Sequence, residues 1–77
     1  MKLEEQIKRV IEEQLHVKIR HDGETLEDMG ADGVDLIELE RELEGRFHIR
    51  IKFETLTEET AVRDIIRLVK KLVKEKC

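Results

Sequence analysis

The chain has 77 residues, which is enough for one domain spanning residues 1–77. We expect no deep enzymatic cleft in so small a fold. Charged residues make up 44% with both signs interleaved and a net charge of -4, which argues against a nucleic acid partner. No apolar run approaches the ~18 residues of a membrane span, and the opening residues are too polar for a secretion signal, so we expect a cytoplasmic protein without a membrane partner.

The first predicted element is an amphipathic helix near the N-terminus. Its apolar residues recur at helical spacing and fall on one face: Leu3, Ile7, Val10, Ile11 and Leu15. After Val17 the pattern dissolves, and the Asp22-Gly23 step indicates a turn. We therefore predict a long ordered loop, anchored by Ile19 and Leu26.

A second helix is predicted to begin at Gly33, with Asp32 as its N-cap and Asp35 in its first turn, where the helix dipole favours negative charge. Its main buried stripe is expected to consist of Leu36, Leu39, Leu43 and Phe47. A neighbouring flank holds residues spaced i, i+3 and i+7, namely Val34, Ile37 and Arg41.

The last third of the chain predicts one short and one long helix. Residues 48–53 alternate polar and apolar side chains but are too isolated for a sheet, and Thr55 to Glu58 has capping-box spacing for a short helix. Thr60 is the expected N-cap of the final helix, whose apolar face is Val62, Ile65, Ile66, Val69, Leu72 and Val73. The pattern predicts an all-α fold, a bundle of three longer helices and one short helix.

One stretch resembles a known family signature. Residues 26–39, Leu-Glu-Asp-Met-Gly-Ala-Asp-Gly-Val-Asp-Leu-Ile-Glu-Leu, are similar to the run by which acyl carrier proteins are recognised. Residues 13–17 and 43–51 also resemble that family, so the likeness covers nearly the whole chain. It implies a four-helix carrier, active in fatty acid or polyketide biosynthesis, that holds acyl chains on a phosphopantetheine arm attached to a serine at the start of the second helix.

Gly33 stands where the resemblance places that serine. A phosphodiester needs a side-chain oxygen, and glycine offers none, so we expect no phosphopantetheine cofactor unless Gly33→Ser restores the hydroxyl. Asp32, Val34 and Asp35 still match the family. The chain is therefore interpreted as a carrier-like domain to which the phosphopantetheine arm cannot be attached. Gly33 and these three residues are its cofactor-binding positions.

The resemblance also implies partner enzymes with basic surfaces that dock on the second helix. Val34, Ile37 and Glu38 retain part of an apolar patch flanked by acids, but Arg41 adds a cation that should weaken docking by like-charge repulsion. Glu40 is expected to make the same surface more polar. The alternative interpretation is a helical protein-protein interaction module without cargo.

Composition leaves the origin open between a redesigned protein and a thermophilic natural one, because both favour Glu, Lys and Arg surfaces. Cys77, the only thiol, excludes an intramolecular disulfide. We expect a monomer with a frayed terminus, and a disulfide dimer through Cys77 is the alternative.

Other chemistry has weak support in the sequence. Three histidines, His16, His21 and His48, lack metal-motif spacing, and the acidic residues from Asp28 to Glu38 lack the EF-hand spacing, so we expect no dedicated metal site. The chain contains no serine, and its thiol is terminal. A catalytic nucleophile in a structured pocket is therefore not expected, and the protein is predicted not to be an enzyme.

Overall fold

The computed structural model describes residues 2–76, and in this part of the chain three helices and no strand are present. The helices are α1 (Leu3–Leu15), α2 (Gly33–Phe47) and α3 (Val62–Glu75). α1 packs against both α2 and α3, whereas α2 and α3 contact each other less. The prediction of an all-helical fold is confirmed, and no helix among these residues has the length and apolar composition that a bilayer crossing requires.

The helical apolar stripes supply most of the core. Fully buried side chains come from all three helices and from the first loop, and the largest of them are Ile7, Ile11, Leu26, Leu39, Leu43, Ile65, Val62 and Val69. Leu26 is an anchor of that loop as predicted, and Ile19 packs against the core while remaining half-buried. Periodicity therefore identified the inward faces of the helices, because burial of an amphipathic face decides helix orientation. Leu36, which was predicted in the buried stripe of α2, is only half-buried.

The short helix predicted to follow Thr55, from the capping-box spacing of residues 55–58, is not confirmed. Thr55 does not cap it, because its hydroxyl donates backwards to the carbonyl oxygen of Lys52 at 2.6 Å. Thr57 and Thr60 close a separate turn, in which the Thr57 N–H donates to the Thr60 hydroxyl oxygen at 3.0 Å. The last helix consequently begins one residue later than predicted, with Ala61 rather than Thr60 at the N-cap.

The two long loops are joined by backbone hydrogen bonds. The Leu26 N–H donates to the Thr60 carbonyl and the Val62 N–H donates to the Glu24 carbonyl, both at 2.9 Å. Thr25 and Ala61 form an isolated antiparallel bridge between these bonds. The loop that leads into α2 is thereby fixed to the start of α3.

α1 and α2 end in the same eight-residue pattern, at residues 12–19 and 44–51. In each, the first residue is a glutamate whose carboxylate accepts a hydrogen bond at 2.8 Å from the N–H of the last residue, an isoleucine. The histidine between them, His16 or His48, has left-handed backbone geometry with φ of 59° or 54°. This repeat stops both helices without the glycine that usually occupies such a position.

Candidate functional site

The start of α2 is fixed by reciprocal capping. The Asp35 N–H donates to Asp32 Oδ1 at 3.0 Å, and the Asp32 N–H donates to Asp35 Oδ2 at 3.1 Å. This confirms Asp32 as the N-cap and places Asp35 in the first turn. The two intervening residues, Gly33 and Val34, lie between these hydrogen-bonded aspartates in the first turn of the helix.

Gly33 is the first residue of α2 and is exposed. A Cβ built on it meets no other group within 4 Å, and its φ lies outside the left-handed region. A side chain at this position would therefore cause neither a clash nor backbone strain. It would project at the positive end of the helix dipole, where an attached phosphate is favoured.

A small apolar groove opens beside Gly33. It has a volume of about 240 Å³, and its apolar lining comes from Leu36, Ile37, Phe53 and Leu56. Phe53 is 70% exposed, which makes it the most exposed large hydrophobic residue of the described chain. Sequence reasoning missed Phe53 as a site residue, although a phenylalanine between Lys52 and Glu54 was a visible signal.

Glu40 lies in this groove and corrects one prediction. It was expected on the exposed flank of α2, but it is only 6% exposed, and its Oε2 accepts a hydrogen bond at 2.9 Å from the Leu56 N–H. The signal was present in the sequence, because residue 40 is spaced i+4 from Leu36 and i-3 from Leu43. Glu40 thus fastens the loop after α2 to the helix that carries Gly33.

The expected partner surface lies together on one side of α2. Val34 is 61% exposed and Ile37 is 37% exposed, and both Glu38 and Arg41 also face solvent. Glu38 accepts a hydrogen bond from Gln14 Nε2 at 3.3 Å, which links this flank to α1. Arg41 makes no ion pair with residues 2–76, so its positive charge is available at the surface.

The metal hypotheses gain no support from side-chain placement. Within residues 2–76, no group of three or more His, Cys, Asp or Glu side chains is arranged to hold a metal ion. His16 and His48 are the C-cap residues of α1 and α2, and both have left-handed backbone angles. Asp28 caps a turn, where it exchanges hydrogen bonds with Thr25 at 3.1 and 3.2 Å. Cys77 lies outside the described residues.

The first loop is held in place by charged contacts that sequence reasoning did not identify. The carboxylate of buried Glu24 accepts hydrogen bonds from the backbone N–H of Arg20 at 3.0 Å and from its guanidinium at 3.1 Å, and these lower the pKa of Glu24. A hydrogen bond to Asp22, with an N–O distance of 3.0 Å, raises the pKa of Lys8. Both contacts stabilise the approach to α2.

Known proteins are similar in sequence to most of this chain. A family model described as the phosphopantetheine attachment site matches residues 5–69. The acyl carrier protein of Wolinella succinogenes is 35% identical over 72 residues, which cover 90% of this chain and 95% of that protein. The relative is named as a carrier and not as a catalyst. The chain therefore belongs to the acyl carrier protein family.

Proposed function

We propose that this chain is an acyl-carrier domain that cannot be phosphopantetheinylated. The observation that carries the proposal is Gly33 itself, an exposed residue at the first position of α2, directly after the N-cap Asp32. A phosphodiester linkage requires a side-chain oxygen at this position. The chain contains no serine at any position.

The surroundings of Gly33 support a lost attachment site rather than an unrelated helix end. Asp32 and Asp35 hold the first turn by reciprocal hydrogen bonds, and Val34 is exposed between them. The groove beside Gly33 is apolar and open. On this proposal no cofactor is bound, and the frame that a modifying enzyme recognises surrounds a residue that cannot react.

Partner binding follows from the same helix. Enzymes with basic surfaces that recognise carriers would meet Val34, Ile37 and Glu38, and the unpaired cation of Arg41 would weaken that contact. The chain would then be either a redesigned scaffold or a natural relative of the fatty acid carriers that serves a purpose other than covalent carriage. Both origins are compatible with the composition.

The decisive comparison is between wild type and Gly33→Ser. Each is incubated with coenzyme A and a broad-specificity phosphopantetheinyl transferase, and the intact mass is measured. We expect one added arm on Gly33→Ser and none on wild type. Gly33→Ala is the matched control, because it adds a Cβ into the same free space without an oxygen. An arm on wild type would refute the proposal.

The second candidate is an interaction module without cargo, and the exposure of Val34 and Ile37 favours it. It predicts a partner that is captured by wild type and lost from Ile37→Glu. Lys18→Gln is the control, because it makes the same change in net charge at an exposed residue outside α2. Equal capture by Ile37→Glu would dismiss this surface.

A further inference from the structure

The third helix carries an uneven share of the charge. α3 holds five of the fifteen Lys and Arg residues but only two of the nineteen Asp and Glu, so its net charge is +3 in a chain of net charge -4. The rest of the molecule consequently has a net charge of -7. Oppositely charged surfaces of this kind attract one another when they lie on different molecules.

Four cations of α3 form a continuous line on its exposed side. They follow at steps of four, four and three residues, and we call them the cationic row: Arg63, Arg67, Lys71 and Lys74. At the rise of an α-helix the row is about 16 Å long. None of the four forms an ion pair with residues 2–76, whereas the neighbouring Lys70 contacts Glu4 at 3.4 Å.

A second surface has the opposite charge. A groove of about 550 Å³ has apolar walls from Leu36 and Leu56, and four exposed glutamates line it. We call these the acidic groove: Glu27, Glu54, Glu58 and Glu59. Within the described chain these carboxylates also form no ion pair. Among residues 2–76, neither the row nor the groove is therefore neutralised by an ion pair.

We infer that the cationic row of one molecule docks on the acidic groove of a second copy of this chain. Four cations would face four carboxylates, and neither set forms an ion pair within the part of the chain that the structure describes. The net charge of -7 on the rest of the molecule opposes a membrane or nucleic acid phosphate as the occupant of the row. A second copy offers carboxylates beside apolar groove walls.

The contact is weak and depends on salt. Each exposed pair raises the association constant by about two- to fivefold, and salt screens the pairs. The row and the groove are different surfaces, so in a docked pair one copy still has a free groove and the other a free row. Further copies can therefore add at either end. The protein should therefore be monomeric when dilute, and its weight-average molar mass should increase with concentration.

Sedimentation equilibrium at low salt tests this inference. All chains carry Cys77→Ala, so that no disulfide contributes. One variant reverses the row with Arg67→Glu and Lys71→Glu, and another reverses the groove with Glu58→Lys and Glu59→Lys. The control, Lys18→Glu with Arg50→Glu, makes the same charge change as the first variant at exposed residues outside both surfaces.

We expect the parent chain and the control to associate, and each reversed variant alone to lose about tenfold or more in association constant. An equal mixture of the two reversed variants should associate again, because their surfaces are complementary. A parent chain that stays monomeric at low salt, or a mixture that does not recover, would overturn the inference. Binding of the parent to anionic vesicles, unchanged by groove reversal, would assign the row to membranes instead and overturn it too.

Discussion

Replacing Glu40 by alanine tests how the groove beside Gly33 is held. Glu40 is 6% exposed and accepts the buried Leu56 N–H at 2.9 Å. Glu40→Ala leaves that N–H without an acceptor, which costs about 1–3 kcal/mol in free energy of unfolding. We take about 2 kcal/mol as the expected loss. In a domain of this size it corresponds to a fall in Tm of about 8–16 °C.

Two controls separate the buried hydrogen bond from a general effect of removing a glutamate. Glu40→Gln keeps an oxygen acceptor and should lose about half as much. Glu42→Ala removes an exposed ion pair with Arg46 and should cost at most about 0.5 kcal/mol. Denaturant unfolding gives the free energies, and hydrogen exchange reports the Leu56 amide. A Glu40→Ala loss no larger than that of Glu42→Ala would show that the hydrogen bond to the Leu56 N–H does not stabilise the fold.

Three further predictions concern the helix ends and the first loop. His16→Gly should raise the free energy of unfolding by about 0.5–1 kcal/mol, because glycine accepts the left-handed geometry more readily, and His16→Ala should give no such gain. Hydrogen bonds from Arg20 lower the pKa of Glu24. The ionised Glu24 carboxylate therefore adds to the free energy of unfolding at pH values above its ordinary pKa of 4.5, and this stabilisation is lost as the pH falls through the pKa in the folded state. The free energy of unfolding should therefore fall less steeply with decreasing pH in Glu24→Gln than in wild type. An equally steep fall in the two chains would contradict this. Gly33→Ala should stabilise the fold by about 0.5–1 kcal/mol in thermal denaturation, and a loss would show that the position does not accept a Cβ.

Local patterns were sufficient to predict the three long helices and the frame of the site. Helical periodicity identified the buried residues of α1, such as Ile7 and Ile11, because a single amphipathic face must turn inward. The capping role of Asp32 followed from its position directly before a helix. Family resemblance located Gly33 at the start of that helix.

Contacts between distant residues could not be predicted in the same way. The spacing of Glu40 from Leu36 and Leu43 places it on the inner side of α2. No local pattern, however, specifies that its carboxylate accepts a hydrogen bond from the Leu56 N–H, sixteen residues away. Likewise, the short helix expected after Thr55 does not form because the threonine hydroxyls bond to nearby turns instead. A capping-box spacing allows a helix to start, but competing local hydrogen bonds decide whether one does.

Intact mass of the protein purified from cells shows whether Gly33 prevents attachment of the phosphopantetheine arm. Wild type and Gly33→Ser are expressed side by side with a phosphopantetheinyl transferase and weighed after reduction of Cys77. We expect an unmodified wild-type chain of 9.1 kDa and a Gly33→Ser chain that carries the arm. A phosphopantetheine arm on the wild-type chain would contradict this expectation.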